Sequence, residues 1–279
     1  MTPITAPRIG IRWTIGDLKP RGFEALRLSI LGAWKLFGTR AAYAVCVHTV
    51  PTGEVRKRVG PVPAAVAWVD VTPGWSRSFI FAHSGPGRAD GEAWKLVPPR
   101  LFVDRFEIAL DSTVILWERP AALEAWLEEA HPRRALLMDD PWPQHGAFAR
   151  TERPRPGRPS IRGLPPEFDV VAAWRATLRE QPAYLVRAAD AHGLQVAALS
   201  RELEPRRVSL RDVPLCSPLP GHAPEVGRRG ACFVGLEPSL PGRDAPSRVE
   251  QEVGEHWDRY RAELYRRLDA GLPLVPIAL

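Results

Sequence analysis

The sequence predicts an α/β protein built on a mostly parallel mixed sheet flanked by helices, and three observations carry that expectation. A strand-like run, a long amphipathic helix and a second, continuously apolar run follow one another near the N-terminus. That order makes a right-handed crossover between parallel strands. Further along, the apolar run Phe106 to Leu110 is followed at once by a carboxylate, Asp111. Strand ends of this kind are where open α/β sheets place their ligands.

Ile9, Ile11, Trp13 and Ile15 alternate with small or polar residues, the pattern of a strand with one buried face. Gly16-Asp17 ends it, and Pro20 opens a helix carrying Phe23, Leu26, Ile30, Trp34 and Phe37, with Gly38 as its C-cap. Residues 41–50 are apolar without alternation, as in a strand covered on both faces, and residues 64–71 read as another strand. Residues 90–101 form a short helix broken at Pro98-Pro99. Phe106 to Leu110 and Val114 to Trp117 read as strands on either side of Asp111-Ser112-Thr113. Pro120 starts a helix with Leu123, Trp126 and Leu127, and Ala135 to Met138 is a strand ending in Asp139-Asp140.

Residues 141–166 break the pattern, with seven prolines and five arginines (Arg150, Arg153, Arg155, Arg158, Arg162), and read as a long loop that is functional or disordered. Asp169 is the expected N-cap of the next helix, and a second helix covers residues 188–199. Short strands follow near residues 208–210 and 231–234. The last element, over 247–270, is an amphipathic helix with Val249, Val253, Trp257, Tyr260, Leu264 and Leu268 on one face. No repeat is present, and the whole chain, residues 1–279, reads as a single α/β domain.

Composition narrows the function. Apolar residues make up 45% and charged residues 25%, which excludes a disordered chain. A net charge of +6 points toward a polyanion, yet only four of the 38 basic residues are lysine, and the 30 prolines match the same GC-rich coding bias. The charge therefore argues only weakly for nucleic acid. An RNA-binding protein working through the arginines of 150–162 remains open as a lesser reading, although Phe148 is the only ring near them for stacking on bases. Cys46, Cys216 and Cys232 are too few and too scattered for a disulfide framework. No h-region begins the chain and no apolar run is long enough to span a bilayer, so the expected compartment is the cytoplasm.

Phosphate-loop, nucleophile-elbow and H-E-x-x-H motifs are absent. Gly85-Pro86-Gly87 lacks a third glycine, and Pro86 has no N–H to offer a phosphate. Cys216, His222 and Cys232 match no zinc spacing. Asp139-Asp140 suits a turn or a general base. The informative stretch is AWKLVPPRLFVDRFEIALDSTVILW, residues 93–117, in which a basic residue on a short helix precedes a strand that delivers a carboxylate. A departing diphosphate needs its charge neutralised, by a metal on acidic side chains or by cationic side chains.

This stretch resembles the segment of GT-A-fold nucleotide-sugar glycosyltransferases in which a Lys or Arg precedes an apolar strand ending in D-x-D. Lys95 matches the basic position and Asp111 the first aspartate. RWTIGD, residues 12–17, resembles the first strand, whose end faces the nucleotide. DAHGLQ, residues 190–195, resembles the later acidic segment beside the sugar and acceptor, and CFVG, residues 232–235, resembles the late H-[FY]-x-G turn. The resemblance implies a GT-A-like (Rossmann-like) fold and transfer of a sugar from a nucleotide-diphosphate donor to an acceptor the sequence does not identify. In it Asp17, Lys95, Asp111, Ser112 and Thr113 line the donor site, and Asp190 orients the sugar or acceptor as the candidate catalytic residue.

Two departures bear on mechanism. The D-x-D is degenerate, with Thr113 in place of its second aspartate, and Cys232 stands where the late turn has histidine. Both positions hold a divalent ion in the family, and Mg²⁺ or Mn²⁺ wants harder ligands than these. The expectation is that no divalent metal is tightly bound, and that phosphate is neutralised by Lys95 and arginines of the 150–162 region. A catalytically inactive descendant of the fold, binding a nucleotide or a protein, is the alternative.

Overall fold

The computed structural model describes residues 8–85, 92–141, 145–149, 157–236 and 248–271. Seven strands make the main sheet: β1 (Ile9–Ile15), β2 (Ala41–Val47), β3 (Val66–Asp70), β4 (Phe106–Leu110), β6 (Arg134–Met138), β7 (Arg158–Leu164) and β8 (Glu204–Val208). Three more, β5 (Val114–Leu116), β9 (Leu215–Cys216) and β10 (Gly230–Phe233), make a small second sheet. The helices are α1 (Pro20–Phe37), α2 (Thr52–Val59), α3 (Thr72–Trp75), α4 (Phe79–Ala82), α5 (Ala121–Glu129), α6 (Val170–Glu180), α7 (Ala188–Glu202) and α8 (Arg248–Arg267).

The main sheet runs in the order β3-β2-β1-β4-β7-β6-β8. Its pairs are parallel except at β7, which lies antiparallel to both β4 and β6. The runs read from the sequence as β1, β2, β3 and β4 all lie in this sheet, and Asp17 and Asp111 lie past the same edge of it. Because β7 is reversed, its first residues arrive at the edge where β4 and β6 end.

Sequence chemistry explains the layers. Helix α1 starts on Pro20 and stops at Gly38, whose φ of 51° and N–H bonded to the Trp34 carbonyl close the last turn. Its apolar face lies on β1, where Trp13 Nε1 donates to Ser29 Oγ at 2.8 Å and Ser29 Oγ donates to the Val114 carbonyl at 2.5 Å. The helix sits so close to β5 that a Cβ at Gly32 would fall 2.2 Å from the Leu116 carbonyl oxygen. Helices α1, α2 and α5 cover one face of the main sheet, while α6 and α7 cover Ala135, Leu137 and Leu164 on the other. Helix α8 packs Val253, Trp257, Leu264 and Tyr265 against Phe233 of the small sheet and Ala25 and Leu28 of α1. Glu24 of α1 fastens it, accepting from Trp257 Nε1, Arg261 Nε and the Tyr265 hydroxyl.

Four expectations are corrected. Strand β1 is buried on both faces, and Arg12 on its polar face is 1% exposed because it meets an internal partner, Glu107. Residues 158–164, expected as loop, form β7, whose pairing with β6 is irregular between Leu137 and Met138, opposite Pro159, Ser160 and Ile161. A proline with no N–H to give the ladder is tolerated at such a point. The short helix expected over 90–101 is a 3₁₀ turn confined to Glu92–Leu96 within the described residues. Val249 is exposed instead of lying on the buried face of α8. Arg150, Arg153, Arg155, Pro86 and Gly87 lie outside the described residues.

Candidate functional site

Asp111 directly follows β4, and a turn in which Val114 N–H donates to the Asp111 carbonyl carries the chain into β5. The Asp111 N–H donates to the Ser160 carbonyl at 2.9 Å, which ties the end of β4 to the start of β7. Phe233 N–H donates to the Thr113 carbonyl at 3.0 Å, bringing Cys232 of β10 to the same place. The Glu92–Leu96 turn supplies Lys95, whose Nζ is 2.9 Å from Glu92 Oε1. Strand β6 contributes Asp140 beyond its end, and the first turns of α7 contribute His192.

These pieces surround a cavity of about 320 Å³ whose walls include Lys95, Asp111, Thr113, Arg158, His192 and Cys232. Below it a smaller space of about 50 Å³ reaches Arg12, Arg162 and Gln195. The floor is an ionic cluster. Glu107 Oε1 is 3.2 Å from Arg12 Nε and 4.0 Å from Arg162 Nη2, and Glu107 Oε2 accepts from the Leu101 and Phe102 N–H groups. Arg162 Nη1 donates to Gln195 Oε1 at 2.6 Å.

The electrostatics follow from this crowding. Burial alone would raise the Asp111 carboxyl, but Lys95, a hydrogen bond from Ser160, His192 and Arg158 together hold it below its ordinary value. Asp111 is therefore a carboxylate at neutral pH. Burial lowers His192 despite the pull of Asp111 and Glu92, so its imidazole is neutral there. Burial pushes the Cys232 thiol up to about 11 against the influence of Arg158, which keeps the sulfur protonated. Arg162, buried beside Arg12, is brought down to about 9 and still holds its proton at pH 7.

The structure gathers Lys95, Asp111 and Thr113 in one cleft and leaves other expected residues outside it. Ser112 is buried in the turn between them and is not part of the wall. Asp17 stands at the right edge, but its carboxylate pairs with Arg58 of α2 at 2.7 Å, and neither cavity that Asp111 lines is lined by Asp17. Asp190 is engaged elsewhere. Its two oxygens accept from the Ala147 and Arg187 N–H groups, both at 2.8 Å, so it caps α7 and anchors the 145–149 segment. Helical geometry gives the reason: at 3.6 residues per turn Asp190 points about 160° away from His192. Ala188, His192 and Gln195, spaced four and three apart, form the face of α7 toward the site. That spacing was present in the sequence, and DAHGLQ contains the two functional candidates that reasoning from its acidic residue passed over. Glu92 was missed as a cleft residue, Arg158 was expected only as one of the phosphate-neutralising arginines of its stretch with no local pattern to mark it apart, and Asp140 was read as part of a turn or a general base.

Solved structures supply the comparison. The galactosyltransferase LgtC, solved in complex with donor and acceptor sugar analogues, aligns with a TM-score of 0.53 at 10% identity, covering 91% of this chain and 99% of that one. The fold is GT-A. An active-site mutant of LgtC aligns equally broadly, with a TM-score of 0.52 and 11% identity. WbbM, a bifunctional glycosyltransferase in its apo form, gives a TM-score of 0.51 at 11% identity, covering 96% of this chain and 53% of that one. At such identities the likeness establishes the fold alone. The sequence matches no family model and no curated protein. Among the described residues no helix is long and apolar enough to cross a membrane.

A divalent ion is implied by the resembling family, and the donor set here does not fit one. Asp111 offers a single carboxylate already surrounded by Lys95, Ser160 and Arg158. Thr113 offers a neutral hydroxyl, and Cys232 a soft sulfur that hard ions such as Mg²⁺ and Mn²⁺ disfavour. Among the described residues no three His, Cys, Asp or Glu side chains are grouped as ligands. Hard cations take charged or carbonyl oxygens in larger number.

Proposed function

We propose that this cleft binds a nucleotide-diphosphate sugar and that the protein transfers the sugar to an acceptor, in the cytoplasm where such donors are available. The observation that carries the reading is the juxtaposition of Lys95 and Asp111 at the C-terminal edge of a GT-A sheet, on the wall of a cavity of about 320 Å³. A diphosphate brings concentrated negative charge, and Lys95 meets it at a partly buried site where a cation counts for more than in open water. Asp111 and the Thr113 hydroxyl suit sugar or ribose hydroxyls as acceptor and donor groups. His192 is neutral and can serve as either. The Glu107 cluster fixes the floor, so that the lining needs no reorganisation when ligand enters.

The engagement of Asp190 in capping favours a second reading, in which the cleft binds donor without turning it over. Of the arginines behind the basic RNA-binding reading, Arg162 is 2% exposed and Arg158 lines the cavity wall, while Arg150, Arg153 and Arg155 lie outside the described residues. A panel of nucleotide-diphosphate sugars in a thermal-shift assay, with and without Mn²⁺, tests the proposal. One of them at a hundred times its Kd is expected to add about 2.7 kcal/mol of stability, a rise of roughly 5–10 °C for a chain of this size. A flat response across the panel in both conditions contradicts it. Binding without product from any acceptor selects the second reading.

A further inference from the structure

We infer that Arg158 provides in this cleft the positive charge that a divalent ion provides in the resembling family, so that Lys95 and Arg158 together hold the donor's diphosphate. The inference rests on the donor reading above and deepens it by naming the group that replaces the metal.

Placement comes first. Arg158 opens β7, the one reversed strand of the main sheet, and so stands at the edge where β4 and β6 end. The irregular pairing beside Pro159 lies at this point, and breaks of this kind re-aim side chains toward sites. The guanidinium lines the same cavity as Asp111, Thr113 and Cys232, the positions that correspond to the ion's ligands in the resemblance. It also lines it with Lys95, so two cations border one space.

Orientation comes next. Arg158 Nε donates to Ser160 Oγ at 2.9 Å, and Nη1 lies 4.0 Å from Asp140 Oδ2. These contacts hold the planar fork in place, which lowers the cost of ordering it on a ligand. A divalent ion set among the same residues would be repelled by both the guanidinium and Lys95. In this chain Thr113 and Cys232 stand at the ligand positions while a fixed cation borders the same space. A guanidinium fork binds phosphate oxygens in pairs, which a point charge does not.

Calorimetric titration in EDTA with the four common ribonucleoside diphosphates and their monophosphates tests this, using wild type, Arg158→Gln and Arg158→Lys, each checked by its melting curve. Arg158→Gln keeps a donor for Ser160 and removes the charge together with the terminal Nη groups. The expected result is that one diphosphate binds wild type equally well with EDTA or Mn²⁺. Arg158→Gln should weaken it at least about ten-fold and the matching monophosphate much less, with partial recovery in Arg158→Lys, in the range typical of charge-assisted phosphate contacts. Mn²⁺ titration followed by electron paramagnetic resonance gives an arm that needs no nucleotide. Wild type should take up no Mn²⁺, while Arg158→Asp, which sets a third carboxylate beside Asp111 and Asp140, should take it up. Diphosphate binding that requires Mn²⁺, or that is unchanged in Arg158→Gln, overturns the role of Arg158 and leaves the donor reading standing. Absence of nucleotide binding under every condition overturns both, and Mn²⁺ uptake by wild type overturns the charge replacement by itself.

Discussion

Replacing Glu107 with glutamine is expected to destabilise the protein by about 3–5 kcal/mol, the range found when one partner of a buried ion cluster is removed. Glu107 is 1% exposed and its carboxylate lies within ion-pair distance of both Arg12 and Arg162, which are 1% and 2% exposed. Glutamine can still accept from the Leu101 or Phe102 N–H, so the loss reports the unbalanced guanidinium charges more than the backbone bonds. Urea unfolding at pH 7 gives the difference directly. Its pH dependence has a definite sign. Burial would raise the Glu107 carboxyl, but Arg12, Arg162 and the two N–H groups hold it below its ordinary value. A depressed folded-state value means stabilisation that is complete above the unfolded value, about 4.3, and lost as pH falls through the folded one. The gap between wild type and Glu107→Gln should therefore be widest near neutrality and close in acid.

Lys95→Ala is expected to lower both stability and donor binding. The Lys95–Glu92 pair is partly exposed, and such pairs add about 0–1 kcal/mol, so the fall in the urea midpoint should come mainly from leaving the Asp111 carboxylate without its leading cation. Donor binding should weaken by about 2 kcal/mol or more, on the order of thirty-fold, because a phosphate charge inside the cleft would lose its nearest lysine. Calorimetry on the nucleotide sugar found by thermal shift measures the change. Equal affinity in the variant would remove Lys95 from the donor site.

What the sequence revealed, and what it hid, follows from where polar residues sit. Apolar periodicity located β1, α1 and α8, and continuous apolar runs located β2 and β4, because each buries side chains in the core. The degenerate motif at Asp111, Ser112 and Thr113 was legible, since a carboxylate after an apolar strand stands out locally. Arg12 was read as the solvent side of β1, because nothing in a local window shows that Glu107 waits on the neighbouring strand. Strand β7 was hidden for a related reason. Arg158, Pro159, Arg162 and Gly163 contradict strand propensity, and the tertiary setting overrides it with Glu107 and Gln195 as partners for Arg162 and a break in pairing at Pro159. Asp190 misled in the opposite way: an acidic residue in the first turn of a helix serves the helix's own N–H groups, and here it does.

Hydrogen exchange on the protein with and without its nucleotide sugar is the most direct test of the cleft as the donor site. The predicted result is slowed exchange in residues 92–96, 111–114, 158–162 and 188–195, with little change on α8 or at the opposite edge of the sheet. Protection confined to α8 or to that opposite edge, with the cleft segments unchanged, would contradict it.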